Sequence, residues 1–405
     1  MVVKHENVKW VDGLRGLAAV SVVVTHLART FDQILFYPNT GGSPENQPYF
    51  LQWPIIRVFV QGRIGIAIFA LVTGYVCALK PIRQSKSGNI DGALTSVAKS
   101  AFRRIPRLFL PTTIATCIMW VLSQLGAYDV AAATDCYWLI TTSPAHRRPF
   151  SAAVHSLFRE IMVTWTMLQN NYDPNQWTLQ PLLKGSMMVY MLIFGTIYMQ
   201  QNMQFFFGMF LSDLSNHQPT LDYINPQIWI RRFLPPLLIS SRTCRPTSSV
   251  LEQDTARFYT GLGMDFICVA IFLSPTLKDL LSSKYLLWLG KNSFAVYLIH
   301  GTLIRTILTW CMYGMSIPAK VEKEVDGKMT LVNGPGLKHG GYVYMTVFIP
   351  LFFVLLYFLA NLWTMHVDPR CARWTAAFER ATLNESEKIT SSGPAGHGLL
   401  SQPPA

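Results

Sequence analysis

Long unbroken apolar runs, rather than alternating or one-sided stripes, set the pattern of this chain. A helix needs roughly 20 mostly apolar residues to cross a bilayer. Five stretches meet that requirement, at about 11–28, 62–79, 108–126, 285–308 and 342–364. Four weaker ones, at about 186–200, 203–214, 225–240 and 258–274, are short or interrupted by proline. The pattern predicts an all-α polytopic transmembrane helix bundle of about 8–10 spans. From about residue 366 the chain turns hydrophilic, with SSGPAGHG and QPPA near its end. The expected organisation is therefore a membrane domain over 1–365 and a disordered tail over 366–405.

Composition sharpens this picture. Half of the residues are apolar and 14% are charged, against roughly 25% charged in average soluble chains. A soluble enzyme, a coiled coil and a disordered chain are all excluded. The formal charge of +12 raises nucleic acid as a partner, and placement decides against it. Between the second and third spans lie Lys80, Arg83, Lys86, Lys99, Arg103, Arg104 and Arg107, with the single anion Asp91. Between the first and second, Arg29 and Arg57 are balanced by Asp32 and Glu45. Lys and Arg collect on cytosolic loops of membrane proteins. This puts the 80–107 loop and the N-terminus in the cytosol, and 127–183 on the opposite side. The cations thus flank a bilayer and are not a nucleic-acid surface. The seven cysteines form no CxxC or Cys/His cluster, so neither a disulfide framework nor a metal site is expected. The apolar run near the N-terminus starts late and lacks a small-residue cleavage site, so a removable signal peptide is not expected; the expected location is an endomembrane such as the endoplasmic reticulum.

The first span, DGLRGLAAVSVVVTHLA, carries the most informative polar residues. Arg15 and His26 are eleven positions apart, almost three helical turns. Both project from one face, about 16 Å apart along the axis. Asp12, one turn before Arg15, is placed to hold its guanidinium. Ionisable groups within a span are costly and usually face a cavity or a partner. An imidazole with no fixed charge beside it suits general-base work near neutral pH, and a guanidinium suits phosphate. A stretched ligand with phosphates at one end and a reactive group at the other fits that spacing, and acyl-coenzyme A has that shape. The competing reading is an Arg15 that snorkels to the interface and a His26 bonded to a neighbouring carbonyl.

Two further segments bear on this. In GRIGIAIFALVTGY, Arg63 opens the second span at about the depth of His26, while Gly62, Gly65 and Gly74 permit close helix approach. Arg63 is either a group that polarises an acyl carbonyl or an interfacial anchor. In FRRIPRLFLP, Arg103, Arg104 and Arg107 stand just outside the third span. They read either as a phosphate clamp or as a topology signal that touches anionic lipid.

Five blocks, in order, make the chain resemble the acyltransferase-3 family of integral membrane O-acyltransferases, its fungal branch above all. They are DGLRGLAAVSVVVTH, GRIGIAIFALVTGY, FRRIPRLFLP, NYDPNQWTLQPLLKGSM and LLWLGKNSFAVYLIHG. The resemblance implies transfer of acyl groups, often acetyl from acetyl-CoA, onto hydroxyls of sugars or small natural products. It implies a central role for Arg15 and His26, and by position it implicates Arg63, Arg103, Arg104 and Arg107. Trp177 and His300 match further family positions, His300 without an assigned role. The chain departs from the pattern at Leu182, where a Glu is common, at Ala70, and at Thr73, where Ser is common. The expected activity is O-acetylation of a hydroxylated terpenoid or polyketide in secondary metabolism. Acetyl-CoA would be a co-substrate, with no resident cofactor. The alternative is a degenerate relative that works as a transporter.

Overall fold

A computed structural model describes residues 9–36, 49–53, 56, 60, 62–146, 149–197, 271, 274–317, 321–325, 328–332 and 336–391. The described chain is a bundle of helices with one short antiparallel hairpin, β1 (Val321–Val325) with β2 (Lys328–Val332), in which Val321 faces Val332. Among the described residues, five helices are long and apolar enough to cross a membrane: α1 (Lys9–Phe31), α2 (Gly62–Lys86), α3 (Ile90–Gln124), α9 (Lys284–Leu303, continued by a π-turn at Ile304–Leu308 and α10, Thr309–Tyr313) and α11 (Tyr342–Ser391). They coincide with the five strong apolar runs. Between α3 and α9 come the short α4 (Asp129–Ala132) and α5 (Tyr137–Thr142), then α6 (Phe150–Thr166), α7 (Leu179–Thr196) and α8 (Pro275–Leu281).

Helix boundaries outrun the apolar runs because hydropathy marks where lipid ends, not where hydrogen bonding ends. The charged 80–107 segment, read from sequence as a loop, is mostly helix. α2 continues to Lys86, and α3 starts at Ile90, where the Asn89 side chain caps it by accepting from the Gly92 amide at 2.8 Å. Only a tight turn intervenes, with Gly88 at φ +80°. Likewise, α11 passes the boundary expected at 365/366 without a break and runs to Ser391, with Pro350 and Pro369 inside it. Residues 392–405 lie outside the described residues.

One weaker apolar run, 186–200, falls on α7. This helix starts beside Tyr297, whose hydroxyl shares a hydrogen bond with Thr178. It ends beside Ser85, whose hydroxyl donates to the Ile197 carbonyl. Its 18 residues cover about 27 Å. The runs at 203–214, 225–240 and 258–274 lie outside the described residues, except for Ile271 and Ser274.

α9 is the central helix. Its most apolar window is 72% buried, against 22% for that of α11, which places α9 among protein and leaves most of α11 on the outside of the bundle. Small and polar residues of α9, including Asn292, Ser293, His300 and Thr302, are therefore interior. The broadest helix–helix contact is between α1 and α9, and glycine makes it. A side chain at Gly16 would meet the Gly290 amide at 2.7 Å, and one at Gly290 would collide with the Asp12 carbonyl. Backbone meets backbone there, which small residues alone allow.

Candidate active site

The two helices run parallel, so their polar residues meet in pairs along one seam. At one end, Arg15 donates to Asp12 at 3.2 Å and to Ser293 Oγ of α9 at 3.2 Å. At the other end, the His26 and His300 rings have centroids 5.2 Å apart. Arg15 and His26 therefore face the same partner helix, from one side of α1 and towards the interior, as the eleven-residue spacing requires. The side chain of Asp12 is 56% exposed and that of Arg15 34%, so their end of the seam is open.

His26 is half-buried between Trp138 of α5, at 5.3 Å, and His300. Its Nδ1 is buried without a hydrogen-bond partner. His300 is fully buried, with Nδ1 at 3.0 Å from the Val296 carbonyl and 2.9 Å from that of Tyr297. Its Nε2 is buried and unpartnered.

The arginines expected to act as one clamp are divided by helical geometry. Arg103 and Arg107, four residues apart on α3, face α11. Arg103 pairs with Glu379 at 2.5 Å, and Arg107 lines a small cavity with Asp368, Cys371 and Phe294. Arg104 turns the other way. It donates to Ser186 of α7 at 3.1 Å and to Thr73 of α2 at 3.5 Å, and it lies within electrostatic reach of Arg15. Thr73 thus keeps the hydroxyl of the Ser that is common at its position. At the open end of the seam, Asp12 pairs with Arg15 while Arg104 adds its field, so positive charge suited to an anion is in surplus among the described residues.

Arg63 is exposed. The start of α2 does lie level with His26, since Gly62 packs on Thr25 and Thr25 donates to the Val60 carbonyl at 2.8 Å. The Arg63 guanidinium, however, stands in the field of Arg29, one turn further along α1. The structure brings it into no contact with His26. Trp177 is 41% exposed, whereas Gln176 and Thr178 on either side are buried.

Sequence reasoning missed the largest polar assembly. Arg305 is wholly buried in the π-turn. It donates to the carbonyls of Gly301, Thr142 and Tyr172, lies 3.6 Å from Asp173 and covers the ring of Tyr128. One guanidinium thereby fastens α5 and the 170–178 segment onto α9 next to His300. Burial pushes the Asp173 carboxyl up to about 6, with Arg305 pulling the other way. Beside it, Asn170 bridges Thr164 and Gln176, and the Tyr297 hydroxyl donates to the Asn175 carbonyl. The signal was present, since a charged residue inside an apolar run is interior and partnered by default, and Arg305 sits in the fourth strong run.

A family model described as an acyltransferase domain matches residues 8–203, which include Asp12, Arg15, His26, the loop arginines and the 170–178 segment. The chain is also 25% identical to an O-acetyltransferase, PaAT-1 of Phomopsis amygdali, over 367 residues, covering 74% of this chain and 73% of that protein. No solved structure matches. Both comparisons agree with the polar seam: the chain carries an acyltransferase domain over residues 8–203 and is similar to a fungal O-acetyltransferase.

Proposed function

We propose that this acyltransferase moves acetyl from acetyl-CoA to the hydroxyl of a small natural product, a terpenoid or polyketide alcohol. The carrying observation is the pairing along α1 and α9. A surplus of guanidinium stands at one end, at Arg15 and Arg104, and the His26 imidazole stands about 16 Å further along, at eleven residues of helical rise. The coenzyme phosphates bind at Arg15 and Arg104, with Asp12 orienting Arg15. The thioester reaches His26. The imidazole takes the proton of the acceptor hydroxyl as its oxygen bonds to the acyl carbon. The C–S bond then breaks, and the imidazolium returns the proton to the departing thiolate, giving the ester and free CoA. Acetyl as the acyl group is supported by the relative's name. The acceptor class is supported by the resemblance to fungal acyltransferases and by a seam that lies within an apolar bundle.

Positive charge on the 80–107 segment supports a cytosolic N-terminus, and an endomembrane gives the Arg15 end access to cytosolic acetyl-CoA. The test is a comparison of a deletion strain with its parent, which should lose one acetylated metabolite and accumulate the matching alcohol. Membranes from strains carrying the wild-type chain should acetylate that alcohol from labelled acetyl-CoA. His26→Ala should cut turnover by about 10²–10⁴-fold at equal membrane expression. Passage of unmodified solute without labelled product would instead reveal a transporter.

A further inference from the structure

Both carbonyls that His300 Nδ1 approaches, Val296 at 3.0 Å and Tyr297 at 2.9 Å, can only accept. Nδ1 therefore carries the hydrogen, and in the neutral ring Nε2 is left as a bare acceptor. The backbone of α9 has fixed the tautomer. That acceptor is buried and unpartnered, an arrangement that costs stability unless a donor comes to it. The hydroxyl of Tyr297, whose ring lies 6.0 Å from that of His300, is taken by the Asn175 carbonyl and Thr178. Arg305, one turn further along α9, is spent on three carbonyls and Asp173. The nearest aromatic ring is that of His26, 5.2 Å away between centroids, whose own Nδ1 is also buried without a partner.

We infer that His300 is a positioning residue for His26: its bare Nε2 accepts the Nδ1–H of His26, directly or through one bridging oxygen, and so presents the opposite nitrogen of His26 to the acceptor hydroxyl. In Ser-His-Asp sites a carboxylate fixes the base's tautomer. Here a neutral imidazole does so, itself held by helix carbonyls. A neutral partner orients the ring without holding it as imidazolium, so the proton taken from the alcohol passes readily to the thiolate. The inference rests on the reading of His26 as the base.

The test uses membranes bearing the full chain, labelled acetyl-CoA, and the organic extract of the deletion strain as the source of acceptor. A glutamine side chain places its amide oxygen near the ring's Nε2, whereas asparagine reaches only to Nδ1. His300→Ala and His300→Asn should lose about 100-fold in turnover, the scale of a misplaced reacting group, with the KM for acetyl-CoA little changed. His300→Gln should recover at least about a tenth of wild-type turnover, a deficit of about 1.4 kcal/mol by the rate relation. The His26→Ala/His300→Ala double variant should be no slower than His26→Ala. Wild-type turnover in His300→Ala, with His26→Ala inactive, would overturn the inference alone. Equal losses in all three His300 variants, accompanied by loss of acetyl-CoA binding, would also overturn it and make His300 a packing residue. Wild-type turnover in His26→Ala would remove the base assignment itself.

Discussion

At the scale of single residues, burial and pairing separate groups that look alike in sequence. Arg15 and Arg104 converge on the open end of the seam, while Arg103 is neutralised by Glu379. Hydrogen bonds to charged groups contribute about 1.5–3 kcal/mol. Arg15→Ala should therefore raise the KM for acetyl-CoA roughly 10- to 100-fold with kcat little affected. An unchanged donor affinity in steady-state kinetics would take the phosphates away from Arg15. Arg305 acts differently, through structure. Because the Asp173 carboxyl is raised to about 6, the folded chain holds its proton more tightly than the unfolded chain does. Its share of stability is present below the ordinary carboxylate value of 3.8 and is lost as pH rises through 6. Removing Arg305 deletes the opposing pull, so this loss extends above neutrality. Breaking a buried pair by deleting one partner costs about 3–5 kcal/mol. Thermal melts of the detergent-purified Arg305→Met variant should show a lowered midpoint, with a wider gap from wild type near pH 8 than near pH 5. Equal gaps would mean that Arg305 works through its three carbonyl contacts alone.

At the scale of elements, the seam depends on how closely α1 approaches α9. A branched side chain at Gly290 would collide with the Asp12 carbonyl, separating Arg15 from Ser293 and His26 from His300 together. Gly290→Val should lower both donor affinity and turnover while leaving membrane insertion intact, as kinetics beside a membrane-extraction assay would show. A variant with normal kinetics would mean that the crossing adjusts without cost to the site. The face of α3 makes a second element-scale prediction. Arg104→Ala should weaken acetyl-CoA binding, and Arg103→Ala should resemble Glu379→Ala, altering how α3 docks on α11 and leaving donor affinity unchanged. Isothermal titration with acetyl-CoA separates the two outcomes, and equal weakening by Arg103→Ala and Arg104→Ala would restore the single clamp. The i, i+4 relation of Arg103 and Arg107, with Arg104 rotated away, was readable from helical periodicity. Which neighbour each face meets was not.

At the scale of the whole molecule, α1 and α9 run parallel and α7 returns alongside α2, so the Arg15 end of the seam and the charged turn between α2 and α3 lie on one face of the bundle. The proposed cytosolic position of that face predicts that a tag on the N-terminus is cleaved by protease added to sealed microsomes, and protection of the tag would reverse the orientation. The strong spans, the single face shared by Arg15 and His26 and the likeness to acyltransferases were legible in the sequence, because lipid demands contiguous apolar residues and a helix imposes its period locally. Tertiary structure alone decided the division of the arginines, the exposure of Arg63 and Trp177, the fastening of the 170–178 segment by Arg305, and the meeting of His26 with His300. Each of those depends on which distant helix lies opposite, and local periodicity carries no information about that partner.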